Sequence, residues 1–198
     1  MQSIKLVCVG DGAVGKTSLL QTFALNQFPE HYEPTVFDNY ATNVQYNTTT
    51  YNMCLLDCAG QEDYQAMRQL SYANTDVFLL CFSCISPTSF KHIDRWVKEI
   101  RDFDADATIV IASTKVDSLQ SEETMQMLRD HNVKPISTTD LHAMKTKYPT
   151  IPFIECSAKT GWNVKQVFQM TIDAVLEHQA RKRRRNRKCS GCHTCSVQ

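Results

Sequence analysis

The sequence predicts an α/β fold: a mainly parallel six-stranded sheet with one antiparallel edge strand and helices on both faces. Three observations carry that expectation. Short apolar runs of strand type alternate with stretches of helical periodicity, the pattern of parallel strands joined by crossover helices. Residues 40–46 and 51–56 are instead joined by a short polar turn and read as a hairpin, which supplies the antiparallel edge. The first strand runs into G-x-x-x-x-G-K-T at residues 10–17, a glycine-rich loop set between a strand and a helix.

Taken in order, residues 4–9 are the first strand and residues 17–24 the first helix. Residues 26–40 lack helical periodicity and hold Pro29 and Pro34 as breakers, so they read as a long loop. Long loops in compact domains tend to be functional, and this one carries Phe28, Tyr32, Thr35, Phe37 and Tyr40. Alternation through Tyr40, Thr42, Val44 and Tyr46, a polar turn at 47–50 and an apolar run at 51–56 form the hairpin, whose second strand ends in Asp57-Cys58-Ala59-Gly60-Gln61. The unbroken apolar run 77–82 is a buried strand, followed by Phe90, Ile93, Val97 and Ile100 at helical spacing. Residues 109–111 form the next core strand, ending in Thr114-Lys115-Val116-Asp117. A polar segment (120–132), a helix near 139–148 and a strand at 153–156 precede Ser157-Ala158-Lys159-Thr160. Val164, Val167, Phe168, Ile172, Val175 and Leu176 then give one apolar face of a last helix.

Length suits one domain, residues 1–178, with a tail at 179–198 expected to be flexible. The net charge of zero conceals an asymmetry. Seven of the 21 basic residues fall in residues 181–188, with no acidic residue after Glu177, so the body sets 14 basic against 21 acidic residues. Nine cysteines raise the question of a disulfide framework, but Cys8, Cys54, Cys81 and Cys156 sit in apolar runs, where cysteine packs as a small hydrophobe. With no signal-peptide pattern at the start, the expected compartment is a reducing cytosol. No apolar stretch approaches the length of a membrane span.

Right-handed crossovers place the strand ends along one rim, where ligands bind in open α/β sheets. In the loop at 10–17 glycines let backbone N–H groups converge on phosphate oxygens, Lys16 adds a full charge, and Thr17 offers a hydroxyl to magnesium. Asp57, at a strand's carboxyl end, can hold the same ion through water, and the Gly60 N–H can reach a terminal phosphate oxygen. Lys115 and Asp117 suit a base: a carboxylate accepts from the ring N–H and exocyclic amine of guanine, which adenine does not present in that arrangement. The pair therefore selects GTP over ATP, against the alternative of a P-loop kinase or ATPase.

The motifs G-D-G-A-V-G-K-T, P-T-V-F-D-N-Y, A-G-Q-E-D-Y, T-K-V-D and E-C-S-A-K-T, in this order, resemble the Rho/Rac branch of the Ras-superfamily small GTPases over the whole chain. The resemblance implies the P-loop small GTPase fold, with residues 120–144 as the Rho-type helical insert. It implies that Thr35 reaches magnesium and the γ-phosphate, that Gln61 orients the attacking water, that Phe28 packs near the base and that the Ala158 N–H reads guanine. The residues assigned to catalysis are then Gln61, Lys16, Thr35 and Gly60. Those assigned to the nucleotide, GTP or GDP, are Gly12, Ala13, Val14, Gly15, Lys16, Thr17, Ser18, Phe28, Tyr32, Thr35, Ala59, Gly60, Lys115, Asp117, Ser157, Ala158 and Lys159. Magnesium falls to Thr17, Thr35 and, through water, Asp57. Effectors are expected on Tyr32, Pro34, Thr35, Val36, Phe37, Asp38, Asn39 and Tyr40. Cys58, Leu56, Gln69, Ala73 and Glu33 depart from the family pattern; Cys58 stands where threonine is usual beside the metal.

The implied function is a monomeric switch that hydrolyses GTP with magnesium and cycles between effector-binding and inactive states, controlling the actin cytoskeleton; a scaffold with little turnover is the alternative. Its implied partners are a GTPase-activating protein, an exchange factor, effectors and a dissociation inhibitor, with no nucleic acid. Residues 26–40 contain neither Lys nor Arg, so slow intrinsic hydrolysis is expected, accelerated roughly 10³- to 10⁵-fold by an arginine brought in trans. The tail ends Cys195-Ser196-Val197-Gln198, a C-a-a-X prenylation signal at Cys195 whose terminal Gln leans towards farnesyl. With the basic run beside it, the expected location is the cytoplasmic face of membranes, the plasma membrane foremost, and the cytosol. Cys189 and Cys192 are candidates for palmitate. Cys189-Ser190-Gly191-Cys192-His193 also spells C-x-x-C-H, but haem or zinc in a charged tail lacks the surrounding pocket such a group needs.

Overall fold

A computed structural model of the protein describes residues 2–30 and 35–190. Six strands, β1 (Gln2–Val9), β2 (Phe37–Tyr46), β3 (Thr49–Cys58), β4 (Val77–Ser83), β5 (Ile109–Thr114) and β6 (Phe153–Glu155), form one sheet in the order β2-β3-β1-β4-β5-β6. All neighbours pair in parallel except β2 and β3, which run antiparallel from Phe37 opposite Cys58 to Tyr46 opposite Thr49. The expected mainly parallel sheet with one antiparallel edge is therefore present.

Helices cover both faces: α1 (Lys16–Leu25), α2 (Gln65–Leu70), α3 (Pro87–Lys91), α4 (Ile93–Phe103), α5 (Glu122–Asp130), α6 (Thr138–Lys147) and α7 (Val164–Ser190). Side chains alternate across a strand, so a sheet buried on both faces needs apolar residues at nearly every position. Leu6 and Cys8 of β1, with Leu79 and Cys81 of β4, pack towards α1 and α7 through Leu19, Leu20, Val167, Phe168 and Ile172. Val7, Val9, Phe78, Leu80 and Phe82 face the other way, onto Ile93, Trp96, Val97 and Ile100 of α4. Cys8, Cys54, Cys58, Cys81, Cys84 and Cys156 are free thiols, and Cys8, Cys81 and Cys156 lie in the first of these cores.

Several boundaries differ from the sequence expectation. The long loop ends at Val36, because Phe37, Asp38 and Asn39 already pair with β3. The hairpin turn shrinks to Asn47 and Thr48, with Asn47 taking the left-handed conformation (φ 52°) that asparagine tolerates. The single helix expected around residues 90–100 is two, α3 and α4, meeting at His92. The polar segment holds a helix of its own, α5, whose N-cap Ser121 accepts from the Thr124 N–H. Helix α7 continues through the basic run to Ser190, where a flexible tail is expected from 179; arginine, lysine and glutamine favour helix, and no glycine or proline intervenes before Gly191. No helix among the described residues is long and apolar enough to cross a membrane.

Candidate functional site

The loop from Gly10 to Lys16 leaves β1 and enters α1 lying flat against β4: a Cβ on Gly10 (φ 135°) would sit 2.1 Å from the Cys81 carbonyl oxygen. Ala13 and Gly15 also have positive φ, and such alternation turns successive N–H groups towards one concavity suited to an anion. The end of β5 clasps the loop from below. The Thr114 hydroxyl donates to the Val14 carbonyl at 2.5 Å, and Lys115 Nζ donates to the Ala13 carbonyl at 2.7 Å. Lys115 itself has φ 60°, a conformation a side-chain-bearing residue keeps only when its surroundings hold it. Burial lowers its ammonium below the usual lysine range, and Asp117 opposes the shift. Lys16, only 7% exposed, donates to the carbonyls of Gly10 at 2.9 Å and Asp11 at 2.8 Å.

Three oxygen-bearing side chains meet at the start of α1. Thr17 Oγ1 lies 2.8 Å from Thr35 Oγ1 and donates to Asp57 Oδ2 at 2.5 Å. Asp57 is fully buried, and its Oδ1 has no hydrogen-bond partner. Burial raises its carboxyl above the ordinary range, opposed by the Thr17 hydrogen bond and the Lys16 charge. A buried carboxylate with a spare oxygen beside two hydroxyls is an all-oxygen donor set, which fits a hard cation such as Mg²⁺.

Beyond Asp57, the Ala59 N–H donates to the Val36 carbonyl, tying the segment that carries Thr35 to the end of β3. Gly60 is pressed against the phosphate loop: a Cβ there would fall 2.2 Å from the Gly10 oxygen and 2.4 Å from the Asp11 carbonyl carbon. Gln61 is extended and exposed at the cavity wall. Buried Arg68 of α2 donates to the carbonyls of Ala59 at 2.8 Å and Gln61 at 3.2 Å. Its guanidinium also pairs with Glu99 of α4, which accepts from the Tyr72 hydroxyl at 2.7 Å.

These segments enclose a cavity of about 700 Å³, within the range of small-molecule sites. Gly12, Ala13, Gly15, Lys16, Thr17, Ser18, Phe28, Thr35, Val36, Phe37, Asp38, Asp57, Ala59, Gly60, Gln61 and Lys115 all line it. Val14 does not; its side chain is in the core, which leaves its backbone as what it can offer. Asp117 and Ser157 line a second hollow of about 660 Å³ beyond Lys115, together with Glu155 and Trp162. There Ser157 Oγ donates to Asp117 Oδ1 at 2.6 Å and accepts from the Thr160 N–H, so the carboxylate is held in one orientation. Ala158 is half-buried and Lys159 exposed, and neither lines either hollow. Asn39 lies exposed on β2, and Tyr40 donates to Asp38 at 2.8 Å and accepts from Gln21 at 3.0 Å. Tyr32, Glu33, Pro34, Cys192 and Cys195 lie outside the described residues.

Sequence reasoning missed Arg68, Glu99 and Asp11, which fix the loops without lining the cavity. No sequence signal marks them: Glu99 stands beside Lys98 between Val97 and Ile100, as a solvated pair of charges would.

The arrangement can hold a phosphate chain over a helix N-terminus, a divalent cation at its edge and a purine against a fixed carboxylate. A family model for the Ras family matches residues 5–177, nearly all of the folded unit. A phosphate loop clasped by the strand end that carries Lys115 and Asp117, and matched over that span, identifies the chain as a small GTPase that belongs to the Ras family.

Proposed function

We propose that this small GTPase is of the Rho type, hydrolyses GTP slowly by itself, and relies on an activating protein for fast turnover. The observation that carries the reading is the corner where Thr17, Thr35 and Asp57 meet, with the buried Asp57 Oδ1 unpartnered. Bound there, Mg²⁺ would neutralise charge on the phosphate chain. The chain's own residues do the rest. Lys16 turns from the carbonyls of its own loop to phosphate oxygens, Gly60 presents its N–H at the same end, and Gln61 orients a water for in-line attack. Lys115 and Asp117 hold guanine. Thr35 reports the terminal phosphate to residues 32–40, the effector surface, and the segment relaxes once that phosphate has gone.

The nearby described arginines support the need for a cation in trans. Arg68 is committed to Ala59, Gln61 and Glu99, and Arg95 to Asp11 and Glu62. On this reading residues 120–144, which contain helix α5, are the Rho-type insert. The same reading gives the switch an exchange factor, a dissociation inhibitor and effectors that act on actin. It places the protein at the cytoplasmic face of the plasma membrane through a prenylated Cys195 and the basic run, with a cytosolic pool. The test is single-turnover hydrolysis of Mg²⁺–GTP by the purified protein, with and without a Rho-type activating domain. Slow hydrolysis, stimulated by a domain that carries its arginine and not by one that lacks it, is expected. Fast unassisted hydrolysis, or none under either condition, refutes the reading. Membrane fractionation of a Cys195→Ser variant tests the anchor: persistence on membranes at the wild-type level refutes it.

A further inference from the structure

The Asp11 side chain does not line the cavity, and its carboxylate is filled by one helix and its cap. Trp96 Nε1 donates to Oδ1 at 2.8 Å, Arg95 Nη2 donates to the same oxygen at 3.3 Å, and His92 Nδ1 lies 2.7 Å from Oδ2. Because a carboxylate only accepts, Nδ1 is the ring nitrogen that carries hydrogen. Arg95 gives its other arm, Nη1, to Glu62, the residue after Gln61. Two guanidiniums approach the Trp96 ring, Cζ of Arg68 at 4.6 Å and that of Arg95 at 5.3 Å from its centroid. Arg68 is also the group that holds the carbonyls of Ala59 and Gln61. Between these two attachments Gly60 abuts the Asp11 backbone directly.

We infer that Asp11 and Arg95 are positioning residues by which α4 couples the phosphate loop to the loop carrying Gly60 and Gln61, so that nucleotide release depends on where Glu62 sits. A tie serving only the fold would need no more than the buried Trp96 indole on Asp11. The shared guanidinium adds Glu62, whose side chain is 79% exposed and whose ion pair contributes little to folding. What the sharing does supply is a dependence: when Glu62 moves away, Arg95 is left with Asp11 alone, and the change is felt where phosphates are held. The coupling rests on the cavity holding guanine nucleotide, as proposed above.

The experiment measures release of fluorescent GDP from the full chain with Mg²⁺ in a box of variants: Asp11→Asn, Glu62→Gln and both together, each with Arg95 and with Arg95→Gln. With Arg95 present, each single change speeds release about two- to five-fold, and the double change falls short of their product. With Arg95→Gln that shortfall disappears. Effects that multiply in both backgrounds would overturn the coupling. A second readout avoids substituting Asp11. Trp162→Phe leaves Trp96 as the only tryptophan, because the chain has two. Its emission should differ between GDP and a non-hydrolysable GTP analogue, and the difference should shrink in Glu62→Gln; identical emission in both states would overturn the inference. Wild-type protein that fails to bind GDP at all would instead refute the nucleotide reading, and the coupling with it.

Discussion

Asp57 accepts a 2.5 Å hydrogen bond from Thr17 through one carboxylate oxygen, while its other oxygen, fully buried, has no partner. A buried donor or acceptor left unmade costs on the order of 1–3 kcal/mol, so this pair keeps a local cost that a bound cation can offset. Because burial raises the folded-state pKa of Asp57, its contribution to stability is greatest at low pH and is lost as pH rises through that raised value.

Asp57→Asn should therefore be at least as stable as wild type in chelator, and should lack the loss of stability that wild type shows as pH rises above the usual carboxylate range. Thermal unfolding against pH with EDTA checks this. With Mg²⁺ and GDP the order reverses, because the variant holds the metal-nucleotide pair about 10- to 100-fold less tightly.

Two glycines of the site should behave oppositely. A Cβ at Gly60 meets phosphate-loop backbone at 2.2 Å, whereas one at Gly12 meets nothing within 4 Å. Gly60→Ala is expected to cost about 1–3 kcal/mol and to weaken nucleotide binding by forcing the two loops apart. Gly12→Ala should leave stability within about 0.5 kcal/mol of wild type, so any loss of turnover it causes belongs to the site. Denaturant titration and nucleotide affinity separate the two.

Arg68 and Glu99 form a buried pair, their side chains 3% and 8% exposed. Glu99→Ala strands the guanidinium and should cost about 3–5 kcal/mol, a fall in Tm on the order of 10 °C. Replacing both, as Arg68→Met with Glu99→Leu, should cost less than the single change, since no buried charge is left alone. Calorimetry of the single and double variants decides it.

Ser157→Ala removes the hydroxyl that orients Asp117. GTP affinity should fall about two- to ten-fold. The ratio of GTP to ATP affinity should narrow with it, because phosphate contacts are untouched. Competition against labelled GDP measures both.

The sheet, its antiparallel edge and the rim of loops were legible in the sequence, because a sheet covered on both faces writes itself as apolar runs such as residues 77–82. That Thr17, Asp57, Gly60 and Lys115 line one cavity was legible for a different reason: each follows or ends a strand, and the topology brings those strand ends to one rim. What could not be read was tertiary. That Arg68 is buried depends on Glu99, 31 residues away. The clasp of Thr114 on Val14 spans 100 residues, and the carboxylate of Asp11 is filled by side chains more than 80 residues on. The early start of β2 followed from pairing with β3, which offsets the weak strand propensity of Asp38 and Asn39. The reach of α7 past residue 178 follows from the helix propensity of its arginines and lysines, which no apolar periodicity announces.

If the cavity beneath Gly60 and Gln61 hydrolyses GTP with magnesium, the reaction is visible in a single turnover. The purified protein is loaded with γ-labelled GTP, and phosphate release is followed on adding Mg²⁺ with excess ATP present. GTP should stay bound despite the ATP and be converted slowly to GDP and phosphate, and Gln61→Leu should stop the conversion without releasing the nucleotide. Displacement of GTP by ATP, or phosphate release unchanged by Gln61→Leu, would rule out a GTP-hydrolysing site here.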